Sequence, residues 1–517
     1  MGVSKKSFFN LHFIFIFFFL ISSNVTLTAK TKIISSEPCQ YHDVSCDFYD
    51  YQKWFKEEIS YSKAIEDLDT LVYLLTSSYA GYEDAVKRGL SAETLIDSFK
   101  KSNDKNKSVN VRELSQFIYD FLKPYVQDSH FCIESKDFFA KMVTGYRVLY
   151  SNTYVKKNDD VFVIEKSDKE NFKCGEIIKC ENENVFLYPS AGKDIYRIGT
   201  YASYDENEKY ICVICSENKK EILCNISNNY LYADNIALYK EIESDDSVYI
   251  YIPTLMDLQN DDGQKIIVDS NFEKLHSVSE RYAQKKNIIL DLRTNTGGNS
   301  SHTSKFLSNL YFLEKKCNEK NTLKNLIKTD KIMRIDTNII YLLSPPILQA
   351  NNYLEKNIYS NDLLVVNHFK NQRKILDNRN LKIKYCEDYK KSKAKFNVPN
   401  FKGKLIILSG KNSASSSELT ITEAKALFNK TNQFFQIGEN TMGCYAYGNV
   451  WCYQLNNSGI ALHLPSLIIE NSQKTCPEGY GIMPDYWATN EDILKALVNI
   501  SGDEELSEKL KDINNNL

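Results

Sequence analysis

The sequence lacks a dominant charge: 64 basic residues oppose 67 acidic ones, for a net charge of -3. Nothing global therefore draws it towards nucleic acid. It also lacks repeated long apolar runs, and a mean hydropathy of -0.41 excludes a polytopic membrane protein. It has no internal repeat and no second Cys-x-x-Cys to join Cys212 and Cys215, so the usual paired zinc signature is missing. Wholesale disorder is excluded by what is there. Of 517 residues, 43% are hydrophobic, 25% charged and 12% aromatic, near the globular average. That length allows about three domains, or one large core with insertions.

The one long apolar run comes first. Lys5 and Lys6 precede Phe8–Ile21, which is shorter than the ~20 residues that span a bilayer. Small residues follow, so residues 1–29 read as a secretory signal peptide, with an uncleaved signal anchor as the rival. The expectation is a secreted or extracytoplasmic protein with no stable membrane span after cleavage. The 13 cysteines are an odd number. Close pairs such as Cys39/Cys46, Cys174/Cys180 and Cys444/Cys452 are candidate disulfides, while Cys212 and Cys215 sit in a strand-like run. Glycosylation acceptors occur at Asn24, Asn106, Asn225, Asn299, Asn429, Asn456 and Asn499.

Three textures follow the signal. Residues 30–130 read as a helical region. Ala64, Leu68, Leu71 and Leu75 recur at helical spacing, and Asn110 with Glu113 opens a second helix that Pro124 closes. Residues 131–245 are short β-branched and aromatic runs between polar turns, a β-rich insertion. Residues 246–500 alternate strands (VYIYIP, NIILDLR, KLIILS, FFQIG, IALHLP) with helical segments around 303–313 and 417–428, which argues for an α/β core. Residues 501–517 read as a polar tail. Residues 369–395 carry ten Lys/Arg against three acids, a solvated loop or an anion contact.

Two segments carry chemistry. In NIILDLRTNTGGNSS (287–301), a strand runs into Gly297-Gly298, where backbone N–H groups can approach a ligand closely. In KLIILSGKNSASSSELTITEAKAL (404–427), a strand, a Ser-rich turn and a helix follow one another. A serine there is displayed at a helix N-terminus, yet Ser415 and Glu418 equally form a capping box. Both roles can coexist.

Together, DLRTNTGG, SASSSE (413–418), GENTMG (438–443) and GIMPD (481–485) resemble, in order, the signatures of the tail-specific proteases. That family comprises the carboxy-terminal processing peptidases and the tricorn core proteases. The resemblance implies a crotonase/Clp-protease-like α/β core and Ser415 as nucleophile of a serine-type endopeptidase. The family often inserts a PDZ domain, so the β-rich insertion is expected as degenerate PDZ-like or unrelated. The processing branch places a lysine base directly after the third signature. Here that position is Cys444, and no lysine lies between Lys430 and Lys474. The resemblance is therefore closer to the tricorn-like branch, which implies a tetrad of Ser129, His130, Ser415 and Glu478.

In that set His130 takes the Ser415 proton, with Ser129 or Glu478 orienting the imidazole. His302 or His463 would be the base if the pair is misplaced. Gly297 or Gly298, with Ser416, supplies the oxyanion N–H groups. A His base with an ordinary pKa gives activity rising through about pH 6–7. No metal or cofactor is called for, and protein or peptide substrates are expected. The alternatives are a catalytically inactive secreted relative that binds peptides, or a carrier of an apolar ligand.

Overall fold

The computed structural model describes residues 51–225, 239–255, 269–313, 331–333 and 399–516, with breaks of at most five residues. The signal segment, the Cys39/Cys46 pair and the basic stretch 369–395 lie outside the described residues. Among the described residues, no helix is long and apolar enough to cross a membrane. The chain divides into two compact units. One is 1–143 with 330–388 and 446–470; the other is 144–329 with 389–445 and 471–517.

The first unit is helical at its start. Helices Tyr61–Ser77, Tyr82–Lys87 and Thr94–Ser102 lie between the strands of a short antiparallel pair, Glu58–Ser60 with Ser108–Asn110, and helix Val111–Leu122 follows the second strand. The apolar spacing read from the sequence is the buried face: Ala64, Leu68, Leu71 and Leu75 share a core with Leu114, Ile118 and Leu122. The Asn110 side chain accepts from Glu113 N at 3.1 Å and caps the last of these helices. The unit's sheet is antiparallel. Ala461–Ile469 pairs with Lys331–Met333, Tyr447–Gln454 and Cys132–Ser135, and the last of these pairs with Phe138–Lys141.

Two expectations shift here. IALHLP was read as a strand of the α/β core, but it pairs within the first unit. The insertion was expected from residue 131, yet Cys132–Ser135 and Phe138–Lys141 also belong to the first unit's sheet. Both departures come from long-range antiparallel pairing, which local periodicity does not encode.

The second unit holds the insertion and the α/β core. Seven antiparallel strands run from Tyr146–Asn158 to Asn218–Asn225, and Asn225 returns to pair with Tyr150. No helix interrupts them among the described residues, so the geometry is a β-only module with an apolar interior of Leu149, Val155, Ile164, Ile198 and Val213. Arg197 ties the module to the core. Its guanidinium lies 4.0 Å from the Tyr150 ring and 5.8 Å from that of Trp487, and it donates to Ser151 O at 2.8 Å.

The core sheet runs in the order Lys240–Glu243, Ser247–Tyr251, Asn287–Asp291, Lys404–Ser409, Phe434–Gly438, Tyr486–Trp487. The first pair is antiparallel and every later pair is parallel. Strands buried on both faces explain the unbroken apolar runs NIILD and KLIILS. Residues 501–517, expected as a polar tail, instead form helix Glu504–Asn516. Leu506 and Leu510, four apart on one face, pack with Ile493, Ala496 and Leu497 onto Tyr249, Ile289 and Ile406.

Candidate active site

Three of the four signatures lie at neighbouring carboxyl ends of parallel strands. Asn287–Asp291 leads into the Gly297-Gly298 turn, Lys404–Ser409 into the serine turn, and Phe434–Gly438 into 439–444. That edge of an open α/β sheet is where such folds place ligands. The fourth signature returns beside the third: Ile482 N donates to Thr441 Oγ1 at 2.7 Å, and Gly479 N to Gly443 O at 2.7 Å. Asp291 within the first signature is structural. Its carboxylate takes Arg293 Nη2 at 2.6 Å, and Arg293 Nη1 reaches Asn490 and Asn514 at 2.8 and 2.7 Å.

Ser415 stands directly before helix Ser416–Phe428, at φ 54° and ψ -115°. A non-glycine residue at positive φ is strained by about 1–3 kcal/mol, and such strain gathers at displayed nucleophiles. Ser415 is half-buried while its neighbours Ala414 and Ser416 are buried. The capping box expected from Ser-x-x-Glu is present, with Ser415 N donating to Glu418 Oε2 at 3.0 Å.

Asn295 joins the glycine turn to the serine turn. Its side-chain carbonyl accepts from Gly297 N and from Ser417 Oγ, both at 2.8 Å, and its backbone carbonyl accepts from Ala414 N at 3.2 Å. This corrects one expectation. The Gly297 N–H is engaged with Asn295 and is not open to an oxyanion. Gly297 is needed for close approach instead: a Cβ there would sit 2.8 Å from Ala414 O and 2.9 Å from Ser415 Cβ. Ser416 Oγ donates to Gly298 O at 2.5 Å and fixes the two backbones side by side. Ser416 N, at the first turn of its helix, and Gly298 N are the remaining donors of the predicted set.

Glu418 is fully buried, and only donors meet its carboxylate. Oε1 accepts from Thr441 Oγ1 at 2.5 Å, Gly443 N at 2.7 Å and Cys476 Sγ at 3.3 Å. Oε2 accepts from Cys444 N at 2.8 Å as well as from Ser415 N. Burial raises its pKa above the ordinary carboxylate value, against the pull of those donors. The sequence reading saw Glu418 only as a cap. Its tertiary partners lie 23 to 58 residues away, beyond any local signal.

Glu478 lies in the same unit as Ser415. It is buried, and its Oε2 accepts from Tyr445 N at 3.4 Å. Cys444 Sγ lies within 4.8 Å of a Glu478 carboxylate oxygen. Lys411, four residues before Ser415, was not singled out from sequence. Burial, opposed by the Glu439 charge, pushes its pKa down to about 8.

Ser129 and His130 belong to the first unit, and both are buried. Asp128 Oδ1 accepts from His130 N at 2.8 Å and Phe131 N at 3.2 Å, fixing the turn that carries the imidazole. Burial, aided by the Lys141 charge, pushes His130 down to about 3. Of the alternative bases, His302 stacks on Phe272 with ring centroids 3.6 Å apart, and His463 Nε2 stands 3.6 Å from Glu134. Cys174, Cys212, Cys215 and Cys444 carry free thiols, so neither Cys174 nor Cys444 is engaged in the disulfide suggested for it.

An α/β sheet that displays a strained serine at a helix N-terminus, beside a tight glycine turn, is an arrangement suited to a serine hydrolase. Residues 248–488, just under half of the chain, match the model of peptidase family S41, and that match supports a serine-type peptidase. No curated protein sequence matches it. Solved structures with some likeness include mature CPAF (14% identity, TM-score 0.38, 88% of this chain and 98% of that one). Another is the photosystem II D1 C-terminal processing protease (11%, TM-score 0.35, 85% and 97%). The tricorn protease is a third (13%, TM-score 0.32, 88% and 37%). Likeness at these scores carries no argument about this chain's site.

Proposed function

We propose that the protein is a secreted endopeptidase that cleaves peptide bonds through a Ser415 acyl-enzyme. Ser415 Oγ attacks the scissile carbonyl and His130 accepts its proton, then returns it to the leaving amine. Ser129 or Glu478 orients the imidazole. The N–H groups of Gly298 and Ser416 hold the oxyanion, with the helix N-terminus adding partial positive charge. The observation that carries this reading is the strained Ser415 at the start of helix Ser416–Phe428, with Gly297 backbone pressed against it.

A His base pushed down to about 3 is neutral across the physiological range. The acid limb of activity therefore falls below the pH 6–7 that an ordinary histidine gives. A serine-directed fluorophosphonate tests the reading. Stoichiometric labelling of Ser415, lost in Ser415→Ala together with peptidase activity, supports it. Full activity in Ser415→Ala overturns it.

Cys444 in place of the processing branch's lysine favours a second reading, a catalytically inactive relative that binds peptides. A folded, unlabelled wild type that still binds peptide would establish that reading. Secretion is tested by the N-terminus of the protein recovered from its source: a mature chain starting near residue 30 supports cleavage, and an intact start supports an anchor.

A further inference from the structure

We infer that Glu418 is a positioning residue for the peptidase reaction, a buried anion that holds the strained Ser415 turn in its attacking geometry. The inference rests on Ser415 as the nucleophile. As a helix cap, Glu418 would need only the bond from Ser415 N at 3.0 Å. Its carboxylate instead joins three chain segments that helix formation does not require to meet. Thr441 Oγ1, Gly443 N and Cys444 N arrive from the turn after strand Phe434–Gly438, and Cys476 Sγ from the segment leading to Glu478.

The hydrogen-bond inventory makes the charge essential. Every partner named donates, and an ionised carboxylate is acceptor-only. Thr441 Oγ1 also accepts from Ile482 N at 2.7 Å, which orients its own proton towards Glu418. A glutamine amide of the same size would turn an NH₂ group onto two or more of these donors, leaving buried N–H groups opposed to N–H. The Ser415 N–H is shared between Glu418 Oε2 and Cys444 O, each at 3.0 Å. Loss of the anion therefore acts first on the residue with the least favourable backbone, Ser415.

The geometry separates nucleophile placement from substrate binding. None of the atoms bonded to Glu418 is among the oxyanion donors Gly298 N and Ser416 N. A displaced Ser415 slows attack while contacts to substrate persist, and misplacement by about 1 Å costs on the order of 100-fold. Glu418→Gln is thus expected to lower kcat by about 100-fold with KM within about threefold. The fluorophosphonate labelling rate should fall in parallel. Glu418→Asp, which keeps the charge but shortens the reach, should recover part of the loss. Thr441→Val and Cys476→Ala each remove one donor and should give smaller decreases in kcat, again at nearly constant KM.

The full-length protein is used throughout, with thermal melting recorded beside the kinetics. If Glu418→Gln does not fold, Thr441→Val and Cys476→Ala carry the test. Wild-type kcat in both of those variants, or a Glu418→Gln enzyme with normal kcat, overturns the positioning role. So does a loss confined to KM or to melting temperature. Activity surviving in Ser415→Ala would instead overturn the nucleophile assignment, so the two failures are told apart.

Discussion

Gly297→Ala is the sharpest test of how the glycine turn serves the serine. Gly297 has φ +102°, and an added Cβ would stand 2.8 Å from Ala414 O, 2.9 Å from Ser415 Cβ and 3.0 Å from Ser416 N. Two costs add. A non-glycine residue at positive φ costs about 1–2 kcal/mol, and forcing a methyl group into a packed site costs about 1–3 kcal/mol. The obstructing atoms are backbone, so no side-chain rotation relieves them, and about 2–5 kcal/mol is expected. Gly502→Ala is the control. It too has a positive φ, +75°, but an added Cβ meets nothing within 4 Å, so only the conformational cost of about 1–2 kcal/mol applies. Urea midpoints of the two variants separate the clash from the strain. Because the Gly297 clash pushes on Ser415 and Ser416, Gly297→Ala should also lose kcat, on the order of 100-fold, whereas Gly502→Ala should keep it. A Gly297→Ala enzyme with normal kcat and a midpoint no lower than that of Gly502→Ala would refute the close-approach argument.

Buried His130, pushed down to about 3, makes stability depend on pH with a definite sign. The unfolded chain binds that proton from about pH 6.5 downward and the folded chain does not, so wild type loses stability relative to His130→Gln as pH falls from 6.5 towards 3. The slope is about 1 kcal/mol per pH unit in denaturant titrations, and parallel curves would refute the assignment. Asp128, raised to about 7 by burial, acts oppositely: wild type should lose stability relative to Asp128→Asn as pH rises from about 4 to 7. Thiol alkylation followed by peptide mass analysis should mark exposed Cys174 and Cys212 in the native protein. Buried Cys132, Cys215, Cys224, Cys444 and Cys476 should react only after unfolding, and early labelling of Cys444 or Cys476 would contradict their burial.

Local pattern carried much of the fold. The apolar faces of Tyr61–Ser77 and Val111–Leu122, the Asn110 cap and the unbroken apolar strands Asn287–Asp291 and Lys404–Ser409 all repeat at the period of their own element. The departures arise where distant segments decide. Ala461–Ile469 looks like any core strand, but its partner Cys132–Ser135 is some 330 residues earlier. The last helix was hidden because only Leu506, Leu510 and Ile513 interrupt its polar surface. The depressed pKa of His130 has no sequence signature either, since desolvation belongs to the packed state.

At the site, the motifs were legible as residues but not as a division of labour. Gly297-Gly298 looked like two equivalent donors. In the fold, one N–H is bound to Asn295 and that glycine serves as a surface against Ser415, so of the two only Gly298 remains for the proposed oxyanion role. Glu418 looked like a cap, yet one carboxylate receives hydrogen bonds from the serine turn, from the Thr441–Cys444 turn and from Cys476. These facts explain why signatures spread over nearly 200 residues travel together. A serine at positive φ is unfavourable by itself and persists only where its surroundings over-determine it. The glycine turn excludes alternatives on one side, and the Glu418 anion draws the third and fourth segments in on the other. Removing any one signature would leave the remaining ones with a buried charge or unpaired N–H groups, so the chemistry proposed for Ser415 depends on all of them at once.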